Sequence, residues 1–286
     1  MRIIEEKNTV IVKELEDFIL EQTLECGQCF RYYRIKENRY VIIARHRLLE
    51  IEQVADSLIL YDTSLSDFDL IWRDYFDLDT DYKDIKHYLT ARDAKMTDII
   101  EKGSGIRILN QDFTETLISF ILSQNKQIPQ IKQVVEKLCV RYGKFIRQYR
   151  GTDYYDFPSV ETLGSLSEED FRECKAGFRA KYLVDACSKL ADGFINENEL
   201  KKLSSADMQK VLCSIKGVGE KVSNCVLLYG LRQKESFPID VWIKRILEKL
   251  YFNEETKLDR LQVFSEERFG KYGGYAQQYL FYYSRS

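Results

Sequence analysis

The sequence of 286 residues lacks several features that would assign it to a common class of protein. No apolar run approaches the roughly 20 residues that span a bilayer. Acidic side chains interrupt its first residues, so a secretory signal is not expected. It contains no internal repeat, low-complexity tract or long linker. These absences predict a globular, soluble protein of one large or two ordinary domains, without a membrane partner.

The chain also lacks an excess of positive charge. Lys and Arg number 43 against 46 Asp and Glu, which gives a formal net charge of −3. Such a balance argues against binding a polyanion through bulk charge. It permits a local cationic site backed by main-chain donors, because such a site positions only a few phosphates.

A disulfide framework is not indicated by the cysteines. Seven is an odd number in a chain of this length, which favours reduced thiols in a cytoplasm. Cys26 and Cys29 form a CxxC pair, but no second pair supports a zinc site. The sequence therefore predicts no metal centre.

Local composition changes near residue 82. Short aromatic and β-branched runs before it predict antiparallel strands, including one at 58–61. Helical spacing dominates after it, and Pro129 stands where a helix would begin. The predicted fold class is α+β, with an antiparallel β-rich N-terminal domain over 1–105 and a larger helical body over 106–286.

The segment "SIKGVGEKVSNCVLLYG" (214–230) places a glycine turn and a lysine before an apolar helical run. A phosphate loop would need the pattern GxxxxGK[ST], which is absent. A Rossmann fingerprint would need a third glycine where Val222 stands, and a strand where "ADMQKVLCSI" predicts a helix. The remaining interpretation is a helix-hairpin-helix over about 207–230.

In that interpretation the turn binds a DNA backbone. Gly217 and Gly219 would permit positive φ and let a phosphate approach bare amides, at the N-terminus of the second helix. A plain corner between two helices is the alternative, and the spacing by itself does not decide between them.

Lys221 and Asp240 add a chemical hypothesis. Lys221 lies in the first helical turn, where the helix dipole disfavours a cation. A partly desolvated lysine in an electropositive place loses its proton more readily and becomes a competent nucleophile. Asp240 follows Pro238 as a predicted helix N-cap, and capping alone would explain it. Together the two groups indicate chemistry on a sugar, in which the amine attacks an anomeric carbon and the carboxylate stabilises positive charge.

"IKGVGEKVSNCVLLYG" followed by "FPIDVWIKRI" resembles the helix-hairpin-helix, Gly/Pro-Asp superfamily of DNA glycosylases, and Lys221 matches its bifunctional members. Some branches carry a four-cysteine iron–sulfur cluster after this motif, which is excluded here because no cysteine follows Cys225. Further segments resemble 8-oxoguanine DNA glycosylases, so that the resemblance covers most of the chain. They are "ECGQCFRYYR", "GIRILNQDFTETLISFILSQNKQI", "AGFRAKY" and "YGGYAQQYLFYYS".

The resemblance implies a pocket for an oxidised base. The Gly27 carbonyl would accept the N7–H of the base, where ordinary guanine presents a lone pair. Phe281 and Cys225 would enclose the flipped base between them, and Gln277 would hydrogen-bond its Watson–Crick edge. Considered without the family, these side chains have plain packing or surface interpretations.

It also implies contacts to the DNA around the lesion. Asn125 would fill the gap in the duplex, Arg179 would contact the orphaned cytosine, and Phe178 stands where the family often has a tyrosine wedge. Gln130 stands at about the place of an arginine that reads cytosine in the animal enzymes. Loss of that charged contact predicts a looser preference for the opposite base.

The implied function is base-excision repair of double-stranded DNA that contains oxidised guanine. The enzyme would flip out and excise 8-oxoguanine, preferably opposite cytosine, and cleave the abasic site through a lysine Schiff base, without metal or organic cofactor. A monomer in a prokaryotic cytoplasm, associated with the nucleoid, is expected. The alternatives are a glycosylase for another damaged or mismatched base, and a non-catalytic DNA-binding protein.

Overall fold

An antiparallel sheet forms the N-terminal part of the chain. The computed structural model describes residues 1–285, so the last residue of the predicted helical body lies outside the described residues. Its six-stranded sheet has the order β1-β2-β6-β5-β4-β3, and every pairing is antiparallel. The strands are β1 (Arg2–Glu6), β2 (Thr9–Lys13), β3 (Tyr32–Lys36), β4 (Arg39–Ala44), β5 (Arg47–Val54) and β6 (Ser57–Tyr61). The predicted β layer is confirmed, including the strand near 58–61.

The two faces of this sheet bury different neighbours. Because side chains alternate along a strand, Val10 and Val12 point to the same face and are fully buried there. That face packs on the large aromatics Phe68 and Trp72 of the segment that follows the sheet. The other face carries a smaller cluster with Tyr154 of a separate hairpin, formed by β7 (Phe145–Tyr149) and β8 (Thr152–Tyr155).

Helices make up most of the remaining chain. The first are α1 (Leu20–Glu25), α2 (Leu65–Asp67), α3 (Arg73–Tyr75), α4 (Tyr82–Arg92), α5 (Met96–Lys102), α6 (Phe113–Ser123), α7 (Ile128–Tyr142) and α8 (Val160–Ser165). They continue with α9 (Glu168–Glu173), α10 (Ala180–Ala191), α11 (Glu197–Leu200), α12 (Ser205–Cys213), α13 (Glu220–Tyr229), α14 (Val241–Leu247), α15 (Leu258–Phe269) and α16 (Gly273–Tyr283). Among the described residues, no helix combines the length and apolar character required to cross a bilayer. The predicted α+β class is confirmed.

The helical body has one extensive hydrophobic core. Helices α6 and α13 pack against each other inside it and are buried along most of their length. Tyr82 and Leu89 of α4 also belong to this core, so the helical body draws on chain that precedes residue 106. The division at 105 and 106 stays a prediction.

Buried glutamines join the N-terminal loop to the helical body. Gln28 is fully buried; its Nε2 donates to the Arg107 carbonyl at 2.8 Å, and its Oε1 accepts from the Leu109 N–H at 2.9 Å. In α16, Gln278 Nε2 donates to the Cys26 carbonyl at 3.1 Å, while its Oε1 accepts from the Tyr229 hydroxyl at 2.5 Å. These bonds hold the loop that contains Gly27 against α13 and α16.

Candidate active site

One cavity of about 350 Å³ collects the predicted catalytic and base-recognition residues. Its volume lies within the range of about 300–1,000 Å³ that is typical of small-ligand pockets. Four parts of the chain contribute to it, namely the loop before β3, the segment from the end of α6 to the start of α7, the hairpin with its following loop, and α16 with the turn after it. The predicted residues that line it are Gly27, Lys221, Cys225, Asp240, Gln277 and Phe281.

The predicted helix-hairpin-helix is present as α12, a glycine turn and α13. Gly217 has φ +76°, and a Cβ there would lie 2.4 Å from a ring carbon of Tyr182, so this position requires glycine. Gly219 has φ −107°, so the prediction of positive φ is wrong at this second glycine. Open space surrounds the place of its missing Cβ, which leaves the first amides of α13 accessible to an anion.

Lys221 projects from the first turn of α13 into the cavity. Its Nζ lies 5.3 Å from the ring centroid of Phe120, a distance that suits a cation–π contact. No described carboxylate lies within 4 Å of this amine. The amine is therefore presented to the cavity without an ion-pair partner among the described residues.

Cys225 lies one helical turn after Lys221 and is buried. Burial raises the pKa of its thiol to about 11, against the opposing effect of the neighbouring Lys221 amine. The thiol is thus neutral near pH 7 and offers a polarizable apolar surface to a ligand.

Asp240 is the N-cap of α14, as the sequence predicts. Its Oδ1 accepts from the backbone N–H groups of Trp242 at 2.9 Å and Ile243 at 2.8 Å. Its Oδ2 accepts no hydrogen bond from the described residues. The capping bonds fix the carboxylate in place, and its second oxygen is left for the cavity.

Gly27 brings bare main chain to the opposite wall. It has φ +83°, and a Cβ there would stand 3.1 Å from both Ile128 Cδ1 and Phe281 Cε1, so a side chain would crowd the cavity. The Gly27 carbonyl accepts no hydrogen bond from any described residue. It is a free acceptor at the place where the sequence predicts one.

Gln277 and Phe281 lie one turn apart on α16, on the face that lines the cavity. Gln277 is 5% exposed, and its Oε1 is buried without a hydrogen-bond partner among the described residues. A buried acceptor without a partner is uncommon in a folded protein and indicates a site that a ligand completes.

The residues predicted to contact DNA around the lesion lie outside this cavity, on two loops that touch each other. Asn125 is exposed with φ +51° at the end of α6, and Phe178 is 46% exposed. Arg179 is 5% exposed, and its Nε donates to the Gln124 carbonyl at 2.6 Å. The guanidinium thus joins the two loops, and a contact to cytosine would require it to leave this carbonyl.

Sequence reasoning missed several residues that line the cavity. Lys126 directly follows Asn125, and burial, Arg179 and Lys175 together lower the pKa of its amine. Trp242 follows Asp240 by two positions and is 46% exposed. Arg285 follows Phe281 by four residues, a helical spacing that could have identified it. The missed residues include Phe30, Phe120, Lys126, Ile128, Trp242 and Arg285.

Comparison with known proteins agrees with this geometry. Residues 10–117 match a family described as 8-oxoguanine DNA glycosylase, N-terminal domain. Residues 118–267 match the HhH-GPD superfamily base excision DNA repair protein. Each match falls on a part of the chain that lines the cavity.

Relatives and solved structures extend the similarity over nearly the whole chain. One similar solved structure is an 8-oxoguanine glycosylase/lyase from Clostridium acetobutylicum, in complex with double-stranded DNA that contains cytosine opposite 8-oxoguanine. It is 38% identical in sequence and superposes with a TM-score of 0.96, and the match covers 100% of this chain and 98% of that one. MBOgg1, solved with a low-affinity DNA ligand, is 44% identical with a TM-score of 0.96, covering 99% and 98%. The N-glycosylase/DNA lyase OGG1 of Arabidopsis thaliana is 27% identical, covering 93% of this chain and 77% of the plant protein.

Proposed function

We propose, from the premise that this chain belongs to the helix-hairpin-helix family of 8-oxoguanine DNA glycosylase/lyases, that it excises 8-oxoguanine opposite cytosine through a Schiff base on Lys221. The observation that supports this most directly is one cavity that presents an amine, a carboxylate, a free main-chain carbonyl and an unpartnered carboxamide. The active form is a monomer that works at the DNA of a prokaryotic nucleoid.

The pocket would distinguish the damaged base by one proton. In 8-oxoguanine N7 carries hydrogen, which the free Gly27 carbonyl accepts, whereas N7 of guanine presents a lone pair that this carbonyl repels. Gln277 would hydrogen-bond the Watson–Crick edge, and its amide has the capacity to do so. The ring of Phe281 and the neutral thiol of Cys225 would enclose the base. These contacts offset the few kcal/mol that extrusion from the duplex costs.

The reaction starts with the neutral Lys221 amine attacking C1′ of the flipped nucleotide. The C1′–N9 bond breaks, and the base departs with its electron pair and acquires a proton. Asp240 stabilises the oxocarbenium-like transition state through its fixed negative charge. The sugar ring opens to an iminium on Lys221. Loss of a proton from C2′ then expels the 3′ phosphate, and water releases the amine.

Recognition of the opposite base would be permissive. Gln130 stands in α7, where its Oε1 accepts from the Gln127 N–H at 3.1 Å, so its side chain serves a helix cap. Arg179 is held by the loop carbonyls. We therefore expect activity opposite all four bases, with cytosine only moderately preferred; a steep preference for cytosine in a four-duplex panel would contradict this.

The decisive experiment is borohydride trapping on a duplex with a single 8-oxoguanine opposite cytosine. The parent should form a covalent adduct, and Lys221→Gln should form none while it still binds the duplex. Lys216→Gln removes a positive charge from the same hairpin but does not line the cavity, so it should retain the adduct. Cleavage after hot alkali without an adduct would refute the covalent route, and binding without either would refute catalysis.

A further inference from the structure

Arg285 lies at the rim of the base cavity without an assigned task. It follows Gln277 and Phe281 at intervals of four residues, so the three side chains are arranged along one face of the last helix and the turn that continues it. Its Cζ lies 5.3 Å from the ring centroid of Phe281. Its Nη1 lies 3.6 Å from the point where a Cβ on Gly27 would be.

The guanidinium has no anionic partner among the described residues. Glu21 and Glu25 border the adjoining groove with it, yet both carboxylates form salt bridges with Arg34, at 2.9 Å and 3.7 Å. Glu25 Oε1 also accepts from the Tyr40 hydroxyl at 2.9 Å. A guanidinium carries five N–H donors in a fixed plane, and those of Arg285 remain available beside the cavity.

The chemistry of the substrate indicates what these donors could meet. N7 of 8-oxoguanine is flanked by two exocyclic oxygens, O6 and O8, and both are acceptors. If the Gly27 carbonyl accepts the N7–H, a guanidinium beside Gly27 stands at that same edge of the base. Arginine commonly pairs with this edge of guanine, through O6 and N7. In the oxidised base N7 is a donor, so only the oxygens are left for arginine.

We propose that Arg285 donates a hydrogen bond to an exocyclic oxygen beside N7 and so contributes to selection of the oxidised base. This rests on the proposed function. Carbonyl and guanidinium then form a complementary pair, with Gly27 accepting from N7–H and Arg285 donating to its neighbour. The face of Phe281 supports the guanidinium through a cation–π contact and limits its orientations.

The test compares substrates with and without a base. Parent, Arg285→Gln and the control Arg260→Gln, which removes a surface charge paired with Glu254 at 2.8 Å, are assayed under single-turnover conditions. One duplex carries 8-oxoguanine opposite cytosine, and the other a preformed abasic site. Arg285→Gln should excise the base about 10- to 100-fold more slowly, as expected for loss of a charged donor. Its cleavage of the abasic site should stay within about two-fold of the parent, since no base is present to contact.

A third duplex, with 2-amino-8-oxopurine in place of 8-oxoguanine, identifies the oxygen. This base lacks O6. If Arg285→Gln excises it as fast as the parent does, the contact is to O6; if Arg285→Gln is still slower than the parent, the contact is to O8. Equal losses on base and abasic substrates would overturn the proposal in favour of a backbone or structural role, and so would no loss at all. A parent that fails to excise 8-oxoguanine would instead refute the proposed function.

Discussion

Gln277 offers a test in which stability and activity should change in opposite directions. Its Oε1 is buried without a partner among the described residues, so in the free enzyme this acceptor is desolvated without a compensating hydrogen bond. Gln277→Met replaces the carboxamide by an apolar group of similar length. The neighbouring Gln278 is a matched control, because it lies on the same helix and both ends of its carboxamide are hydrogen-bonded.

The magnitudes follow from these hydrogen bonds. An unsatisfied buried polar group costs about 1–3 kcal/mol, and a hydrophobic swap of similar volume costs less than about 1.5 kcal/mol. Gln277→Met should therefore raise the free energy of unfolding by about 1 kcal/mol and the Tm by a few degrees. Gln278→Met leaves the Tyr229 hydroxyl and the Cys26 carbonyl unpaired and should lower the Tm. The Gln277→Met protein offers no hydrogen-bond partner to the edge of the base in the transition state, so its kcat/KM should fall about 5- to 150-fold.

Calorimetry of the free proteins measures the Tm, and assays of 8-oxoguanine excision measure kcat/KM. Cleavage of a preformed abasic site should be unaffected in Gln277→Met, because that substrate has no Watson–Crick edge. A lower Tm for Gln277→Met would show that the carboxamide is already satisfied in the free enzyme. An equal loss on both substrates would show that Gln277 shapes the cavity and does not read the base.

Further predictions concern the hairpin and a buried amine. Gly217→Ala should destabilise the fold by at least about 1–2 kcal/mol, because φ is +76° and the new Cβ would clash with Tyr182. Gly219→Ala should have the stability of the parent, because open space surrounds that position. Thermal unfolding compares the two variants, and an equal loss of stability in both would contradict the geometry. Burial lowers the pKa of Lys234 from 10.5 to about 8, although its Nζ donates to Asn110 Oδ1 at 3.0 Å. The unfolded chain then binds more protons between those values, so the free energy of unfolding should rise by about 3 kcal/mol across this window relative to Lys234→Met. Parallel pH profiles in urea unfolding would refute that assignment.

Local sequence patterns predict some features of the fold and the candidate site, but not others. Strands, the hairpin and the cap at Asp240 follow from short-range rules of alternation, glycine placement and capping, and all three are confirmed. The prediction of positive φ at Gly219 is wrong, because an open position next to a helix N-terminus accepts glycine without requiring positive φ. The rim position of Arg285 and the buried contacts of Arg179 depend on packing between distant segments, which no local pattern encodes.

The buried bonds of Gln278 bear on when the enzyme becomes active during its synthesis. They join α16 to Tyr229 and to the Cys26 carbonyl, and α16 also supplies Gln277 and Phe281 to the base cavity. A nascent chain with a finished hairpin already carries Lys221, yet the cavity wall formed by Gln277 and Phe281 is still missing. Under the proposed function, damage recognition is completed only as the last helix docks, and a truncated product would carry Lys221, the proposed nucleophile, without the residues proposed to select the base.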